Sequence, residues 1–149
     1  MPSKKMLYGF CRSFIENRLN RIKSNIKEVQ ESLTSETKSS AGDKHETGRA
    51  MLQLEREKLG QQLAEAEKIA QILAKVPLTD SIKTIRLGSY VKTTMGNYYV
   101  AISAGAFQIE GDSVYCISPD TPIGQLLMAK SVGDHFNFRG DDVTILELA

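Results

Sequence analysis

Two carboxylates, Asp43 and Glu46, stand three residues apart just before a long segment with a heptad pattern. Oxygen ligands of this kind suit hard divalent cations. The same Asp-x-x-Glu spacing also matches a capping box, in which Asp43 accepts from a first-turn amide and Glu46 reaches back to the cap residue's own amide. A carboxylate committed to backbone amides is less available to a metal, so the two roles partly exclude each other.

The other residues able to do chemistry are the two histidines, His45 and His135, and the two cysteines, Cys11 and Cys116. None of them shows the close spacing of a zinc site or a redox motif. A thiol catalyst or a metal site built from them is therefore disfavoured. We expect both cysteines to be reduced and partly buried, and a fold that depends on disulfides is excluded.

Apolar residues recur with alternating spacings of three and four in two segments, which is the pattern of paired heptad helices. A polar interval rich in Ser, Thr and Gly separates the segments and predicts a turn. Residues 1–76 are therefore expected to form an antiparallel coiled-coil hairpin, with an arm of roughly 45 Å at 1.5 Å per residue. The positions that carry the pattern are Tyr8, Cys11, Ile15, Leu19, Ile22, Ile26, Val29 and Leu33, then Leu52, Leu59, Leu63, Ala66, Ala70 and Leu73.

From Pro77 onward the period becomes two, because proline ends the helical pattern and β-branched or aromatic residues alternate with polar ones. One short helix is expected after the N-cap Thr121, with Pro122 at its first position. The pattern of residues 77–149 thus predicts an antiparallel sheet with one helix. Together with the helical hairpin, it predicts an α+β fold for the whole chain. The strands are expected at 90–94, 98–102, 107–109, 114–117, 136–138 and 143–148, with glycine-containing turns at 95–97, 110–112 and 139–141.

The net charge of the chain is +1, but its distribution is uneven. Residues 1–38 contain eight Lys or Arg against four Asp or Glu, which is +4. The basic side chains of this segment are either solvated flanks of the coiled coil or a surface for an acidic partner. No apolar run reaches the ~18–20 residues of a membrane-spanning helix, and no secretory signal is evident, so we expect a cytoplasmic protein without a membrane partner.

Two motifs, at residues 42–47 and 117–134, resemble segments of the bacterial Gre transcript-cleavage factors. The first is Gly42-Asp43-Lys44-His45-Glu46-Thr47, which is similar to the acidic loop at the hairpin tip of that family. The second runs from Ile117 through Ser118, Pro119, Asp120, Thr121, Pro122, Ile123 and Gly124 to Lys130, Gly133 and Asp134. It resembles the serine-proline-isoleucine-glycine helix of the family and the glycine-aspartate turn that follows.

The resemblance implies a monomeric accessory protein of RNA polymerase, with a coiled-coil hairpin at 1–76 and an FKBP-like domain at 77–149. Asp43 and Glu46 would help to bind a Mg²⁺ ion shared with the polymerase and orient the water that cuts backtracked nascent RNA. Because the polymerase supplies the main metal site, the protein alone would not be an enzyme. The residues implied in partner binding are Ser118, Pro119, Thr121, Pro122, Ile123 and Gly124.

Two departures from the family pattern leave other functions open. Lys44 stands where an apolar residue is usual, and Gly48-Arg49-Ala50-Met51 lacks the aromatic residue that cleavage factors tend to have near the tip. A channel-binding regulator without cleavage activity is one alternative, and a coiled-coil adaptor unrelated to transcription is another. Prolyl isomerase activity is disfavoured, because the aromatic residues of the sheet are expected to be mostly core and a shared fold does not transfer an activity.

Overall fold

The computed structural model describes residues 2–38, 43–80 and 83–149, and it describes their side chains except at 36–38 and 43–45. Within these ranges the chain forms two long helices, six strands and one short helix. The helices are α1 (Lys4–Lys38), α2 (Asp43–Ala74) and α3 (Pro122–Leu127). The strands are β1 (Tyr90–Thr93), β2 (Asn97–Val100), β3 (Gly105–Ile109), β4 (Asp112–Ile117), β5 (His135–Phe138) and β6 (Asp141–Leu148).

The chain divides into two compact units. The hairpin unit is Ile15–Ala70, and the sheet unit combines Met1–Phe14 with Gln71–Ala149. The first turns of α1 therefore belong with the sheet. The predicted domain division between residues 76 and 77 stays a prediction.

The hairpin unit is held by the apolar seam that the heptads predict. Its buried side chains are Ile15 and Ile22 from α1 and Leu59 and Ala66 from α2. Only four residues separate the two helices in sequence, so helices that pack along this seam run antiparallel. The predicted pairing of two antiparallel helices is thus observed within this unit.

The sheet has the strand order β3-β4-β2-β1-β6-β5. β2 and β4 are parallel, whereas the other pairings are antiparallel. The predicted α+β class is confirmed, and each of the six predicted strands is present, but the sheet is mixed and not wholly antiparallel. The parallel pair arises because β3 pairs with β4 and not with β2. β4 runs opposite to β3 and therefore lies beside β2 in the same direction.

Both faces of the sheet are covered. On one face a core cluster joins the strands to α3, with Val91, Val100, Ile117, Leu127 and Val143 among its members. On the opposite face, Phe10 of α1 meets Phe107 of β3 edge to face, with ring centroids 5.2 Å apart. β1 and β2 consequently consist almost entirely of buried residues. In strands covered on one face only, buried and exposed residues would alternate.

A turn lies at each of the three predicted places. Glu110 and Gly111, and likewise Arg139 and Gly140, have positive φ, as tight hairpins with a type I′ twist require. Residues 95–97 also lie at the predicted turn between β1 and β2, but none of them has positive φ. There the Thr93 hydroxyl accepts from the amides of Met95 and Gly96 and so closes the turn with a side chain.

Candidate functional site

The acidic pair lies in the first turn of α2. Asp43 is the first residue of the helix, and Glu46 follows three positions later with an exposed side chain. Residues three apart on a helix share one face. The start of a helix also stabilises negative charge through its backbone dipole. The helix thus places both positions on one side of the hairpin's turn end, where the Glu46 carboxylate is accessible to solvent.

The capping-box interpretation of this pair stays a prediction. Residue 42 and the Asp43 side chain lie outside the described part of the chain, as does the side chain of His45. Asp43 already has helical backbone. Helix ends are defined to within about one or two residues, so this assignment and a cap at Asp43 are compatible.

A cleft of about 320 Å³ opens between the helices within the hairpin unit. Ile22 and Ala66 form its floor, and polar side chains form its walls. The polar lining residues are Arg18, Arg21, Asn25, Gln62 and Glu65.

The second motif forms a tight turn that leads into α3. The Thr121 hydroxyl donates to the Ser118 carbonyl at 2.8 Å and accepts from the Gly124 amide at 3.1 Å. Thr121 is therefore the N-cap, as predicted, and Pro122 follows at the start of the helix. The Ser118 hydroxyl adds a bond by accepting from the Asp120 amide at 3.2 Å.

Gly124 is required by a close approach of the backbone. A Cβ at this position would lie 2.4 Å from the Ser118 carbonyl oxygen and 3.0 Å from that of Pro119. Any larger residue would push the turn away from α3. The spacing of the motif is thus explained by local packing, whatever partner it meets.

The six residues implied in partner binding differ in how far they are buried. Pro122 is exposed, whereas Ile123 and Gly124 are buried. The remaining three, Ser118, Pro119 and Thr121, are half-buried. A partner would therefore meet Pro122 and the edge of the turn, while Ile123 and Gly124 position that edge from inside.

The glycine-aspartate turn closes the loop after α3. The Asp134 carboxylate accepts from the Ser131 amide at 2.8 Å, and Gly133 adopts a φ of 91°. The Lys130 ammonium lies 5.3 Å from the centroid of the Phe136 ring. These residues too have identifiable structural roles.

The basic residues of the first helix do not form a uniform surface. Lys4 donates to the Thr79 carbonyl at 2.8 Å and lies 3.9 Å from the Asp80 carboxylate. Burial lowers the pKa of Lys4, and the Asp80 charge opposes that shift. Lys4 is therefore neither a solvated flank nor free for an acidic partner. Exposed side chains with basic charge are Lys5, Arg12, Arg21, Lys23 and Lys27.

The sheet unit also contains a buried cluster of thiol and phenol groups that the sequence did not indicate. Cys11 of α1 and Cys116 of β4 are 0% and 2% exposed, and each side chain is close enough to shift the pKa of the other. Both are free thiols, as expected, but burial is complete and not partial. The predicted heptad position of Cys11 thus faces the sheet.

Tyr99 is completely buried beside these thiols, and its hydroxyl has no hydrogen-bond partner. Burial raises the pKa of Tyr99, with smaller contributions from Cys11, Cys116 and Tyr8. The sequence signal for this cluster was weak, because more than 100 residues separate the cysteines. Parallel strand pairing makes Tyr99 and Cys116 neighbours, and Cys11 joins them because the first turns of α1 pack with the sheet.

Metal-binding groups are sparse in the described residues. No cluster of three or more His, Cys, Asp or Glu side chains occurs among them. His135 is exposed at the start of β5. No helix in the described ranges has the length and apolar character needed to cross a membrane.

Comparison with known proteins adds little to this description. No family model and no curated protein matches the chain. It is similar to a solved structure titled "Structure of the transcription factor Gfh1", with 20% sequence identity over 90% of each chain and a TM-score of 0.35. That TM-score is too low to support an inference about fold or function. The functional proposal therefore depends on the two motifs and on the geometry of the residues in them.

Proposed function

We propose that this protein is an accessory factor of RNA polymerase that enters the polymerase's secondary channel and stimulates cleavage of backtracked RNA. The observation that carries the proposal is the presence in one chain, in the order of the Gre factors, of the acidic motif at Asp43–Glu46 and the turn motif at Ser118–Gly124. The exposure of Glu46 in the first turn of α2 supports it, because a carboxylate that acts in another protein's site must reach solvent.

The hairpin would act as a carrier for the two carboxylates. α2 has 32 residues, so it extends for about 48 Å at 1.5 Å per residue. Residues 77–149 would bind at the rim of the channel through the edge of the Ser118–Pro122 turn. This arrangement would let Asp43 and Glu46 reach a site deep inside the partner.

The two carboxylates at this tip fit Mg²⁺ only if the ion is shared with the polymerase. Mg²⁺ prefers octahedral oxygen coordination and usually binds one or two carboxylates together with waters and substrate phosphates. Asp43 and Glu46 could supply those carboxylates, while the polymerase would hold the ion. Bound Mg²⁺ supplies Lewis acidity and lowers the pKa of a coordinated water. We therefore propose that the protein has no hydrolytic activity by itself.

The test is a backtracked elongation complex with Mg²⁺ and labelled RNA. Added protein should release short 3′ fragments, and Asp43→Asn or Glu46→Gln should reduce the rate at least tenfold. Glu57→Gln is the matched control, since it removes an exposed carboxylate from the same helix. Wild-type protein that binds the polymerase but releases no RNA would refute the cleavage function.

Asp43→Asn also separates cleavage from helix capping. Asn and Asp cap helices about equally well, so the substitution preserves a cap and removes only the charge. Loss of cleavage at unchanged stability would identify a role for the carboxylate itself. Asp43→Ala should in addition cost about 0.5–2 kcal/mol if the residue caps α2. Equal cleavage by wild type and Asp43→Asn would leave the cap as the only role.

A channel-binding regulator without cleavage is the second candidate, and Lys44 favours it. A lysine between the two carboxylates places positive charge beside the position proposed for a cation, which weakens cation binding there. Under this alternative the protein releases no RNA fragments in the cleavage assay but changes transcription initiation or pausing. Lys44→Ala should then leave regulation in place, whereas under the cleavage proposal it should increase the cleavage rate.

A further inference from the structure

The two buried thiols of the sheet unit are placed to react with each other. Cys11 and Cys116 are both buried in the same compact unit. Phe10, the neighbour of Cys11 in α1, packs against Phe107 of β3, and the same strand pairs with Cys116 through Gly105. A disulfide requires Cβ atoms about 3.5–4.5 Å apart, and this packing of α1 on the sheet brings the two side chains into one cluster. Cys116 is held by strand pairing to Tyr99 on one side and to Gly105 on the other.

The surroundings distinguish the two sulfurs. The hydrogen bond from Cys116 lowers the pKa of Cys11, and a backbone hydrogen bond from Ile102 acts in the same direction against the effect of burial. The shared hydrogen bond and burial raise the pKa of Cys116. Cys11 is therefore the better nucleophile of the pair. The buried hydroxyl of Tyr99, which has no hydrogen-bond partner, lies in the same cluster.

We propose that Cys11 and Cys116 are a redox-active pair that closes reversibly to a disulfide and so ties α1 to β4. The proposal is independent of the transcriptional role. The oxidant is a small-molecule disulfide of the glutathione class. Its S–S bond is broken by the Cys11 thiolate, which forms a mixed disulfide and releases one small thiolate.

Cys116 then attacks the Cys11 sulfur of the mixed disulfide and displaces the second small thiolate. The two protons lost by the cysteines end on the two released thiols, so one disulfide of the oxidant is exchanged for one in the protein. Because both cysteines are buried, the sheet unit must open locally before the oxidant can enter. We therefore expect exchange over minutes to hours, within the range known for disulfide formation.

The physical consequence is a cross-link between residues far apart in sequence. The bond joins residues 11 and 116 and encloses the whole hairpin unit in the closed loop. A loop of this length restricts the unfolded chain strongly and stabilises the folded state. The oxidised protein should therefore unfold at a temperature about 5–15 °C higher than the reduced protein.

The experiment incubates the full-length protein in buffers of graded reduced and oxidised glutathione, followed by acid quenching and alkylation in denaturant. Mass spectrometry should find a monomer lighter by two hydrogens that takes up no alkylating agent and returns to the doubly alkylated form after treatment with dithiothreitol. Peptide mapping without reduction should recover Cys11 linked to Cys116.

Single substitutions provide the controls. Cys11→Ser and Cys116→Ser each keep one thiol and should form only a glutathione adduct, without the rise in unfolding temperature. The wild-type measurement does not depend on whether these variants fold. A wild-type protein that stays doubly alkylated, that stops at glutathione adducts, or that forms only intermolecular dimers would overturn the proposal.

Discussion

The sheet unit and the hairpin unit bury their apolar side chains in different ways. In the sheet unit both faces of the strands are covered, and residues such as Val91, Tyr99 and Val114 are completely buried. Among the described residues of the hairpin unit, burial is confined to one seam. A sheet packed on both faces therefore tolerates far less change per residue than a two-helix seam that is open to solvent.

The glycines of the two units illustrate the same contrast. Gly124 of the sheet unit has no room for a side chain, because the Ser118 carbonyl would lie 2.4 Å from its Cβ. Gly48 of the hairpin unit has no atom within 4 Å of the corresponding position. A glycine is thus demanded by packing in one unit and only tolerated in the other.

The units can be followed separately by spectroscopy. The chain has five tyrosines and no tryptophan, and every tyrosine belongs to the sheet unit. Tyrosine fluorescence therefore reports on the sheet unit, whereas far-UV circular dichroism is dominated by the long helices. The tyrosines are Tyr8, Tyr90, Tyr98, Tyr99 and Tyr115.

The largest effect is expected from Leu127→Ala. Leu127 is 0% exposed within the core between α3 and the sheet, so truncation should cost about 2–5 kcal/mol through lost burial and a cavity. Urea unfolding followed by tyrosine fluorescence measures the loss. Leu52→Ala in the half-buried hairpin seam is the matched control; followed by circular dichroism, it should cost about 1 kcal/mol. Equal losses at the two sites would break the contrast between the units.

A smaller loss is expected from Gly124→Ala. The added methyl group should separate α3 from the Ser118–Thr121 turn and reduce the free energy of unfolding by about 1–3 kcal/mol. The backbone of Gly124 is not in the left-handed region, so the cost comes from contact alone. Tyrosine fluorescence in urea is again the measurement. Wild-type stability in this variant would show that the turn can relax.

The smallest effect, with the opposite sign, is expected from Gly48→Ala. Alanine is favoured over glycine inside a helix and has open space here, so the substitution should stabilise α2 by about 0.5–1 kcal/mol. The gain should appear in circular dichroism, with tyrosine fluorescence unchanged. Gly60→Ala makes a useful comparison, because its new Cβ would meet only the mobile end of Arg56 at 3.2 Å. A destabilised Gly48→Ala protein would contradict the view of an open hairpin surface.

Local patterns in the sequence predicted most of the elements. The heptad spacing identified the buried seam positions Ile15, Ile22, Leu59 and Ala66, because the helical period alone decides which residues share a face. The N-cap at Thr121 was predictable for a similar reason, since a threonine before a proline satisfies the free amides of a helix start. For the candidate site, the motifs and their spacing were visible in the sequence. The exposure of Glu46 became known only from the structure.

Local sequence is sufficient to predict the α+β class, the order of the helices and strands, and the two motifs on which the proposed function depends. Three features appear only in the folded chain: β2 and β4 run parallel, the first turns of α1 pack with the sheet, and Cys11 lies beside Cys116. The two sets of features depend on interactions of different range. Propensity, capping and periodicity act over a few residues, whereas strand order and the meeting of residues 11 and 116 depend on how distant segments bury apolar surface together.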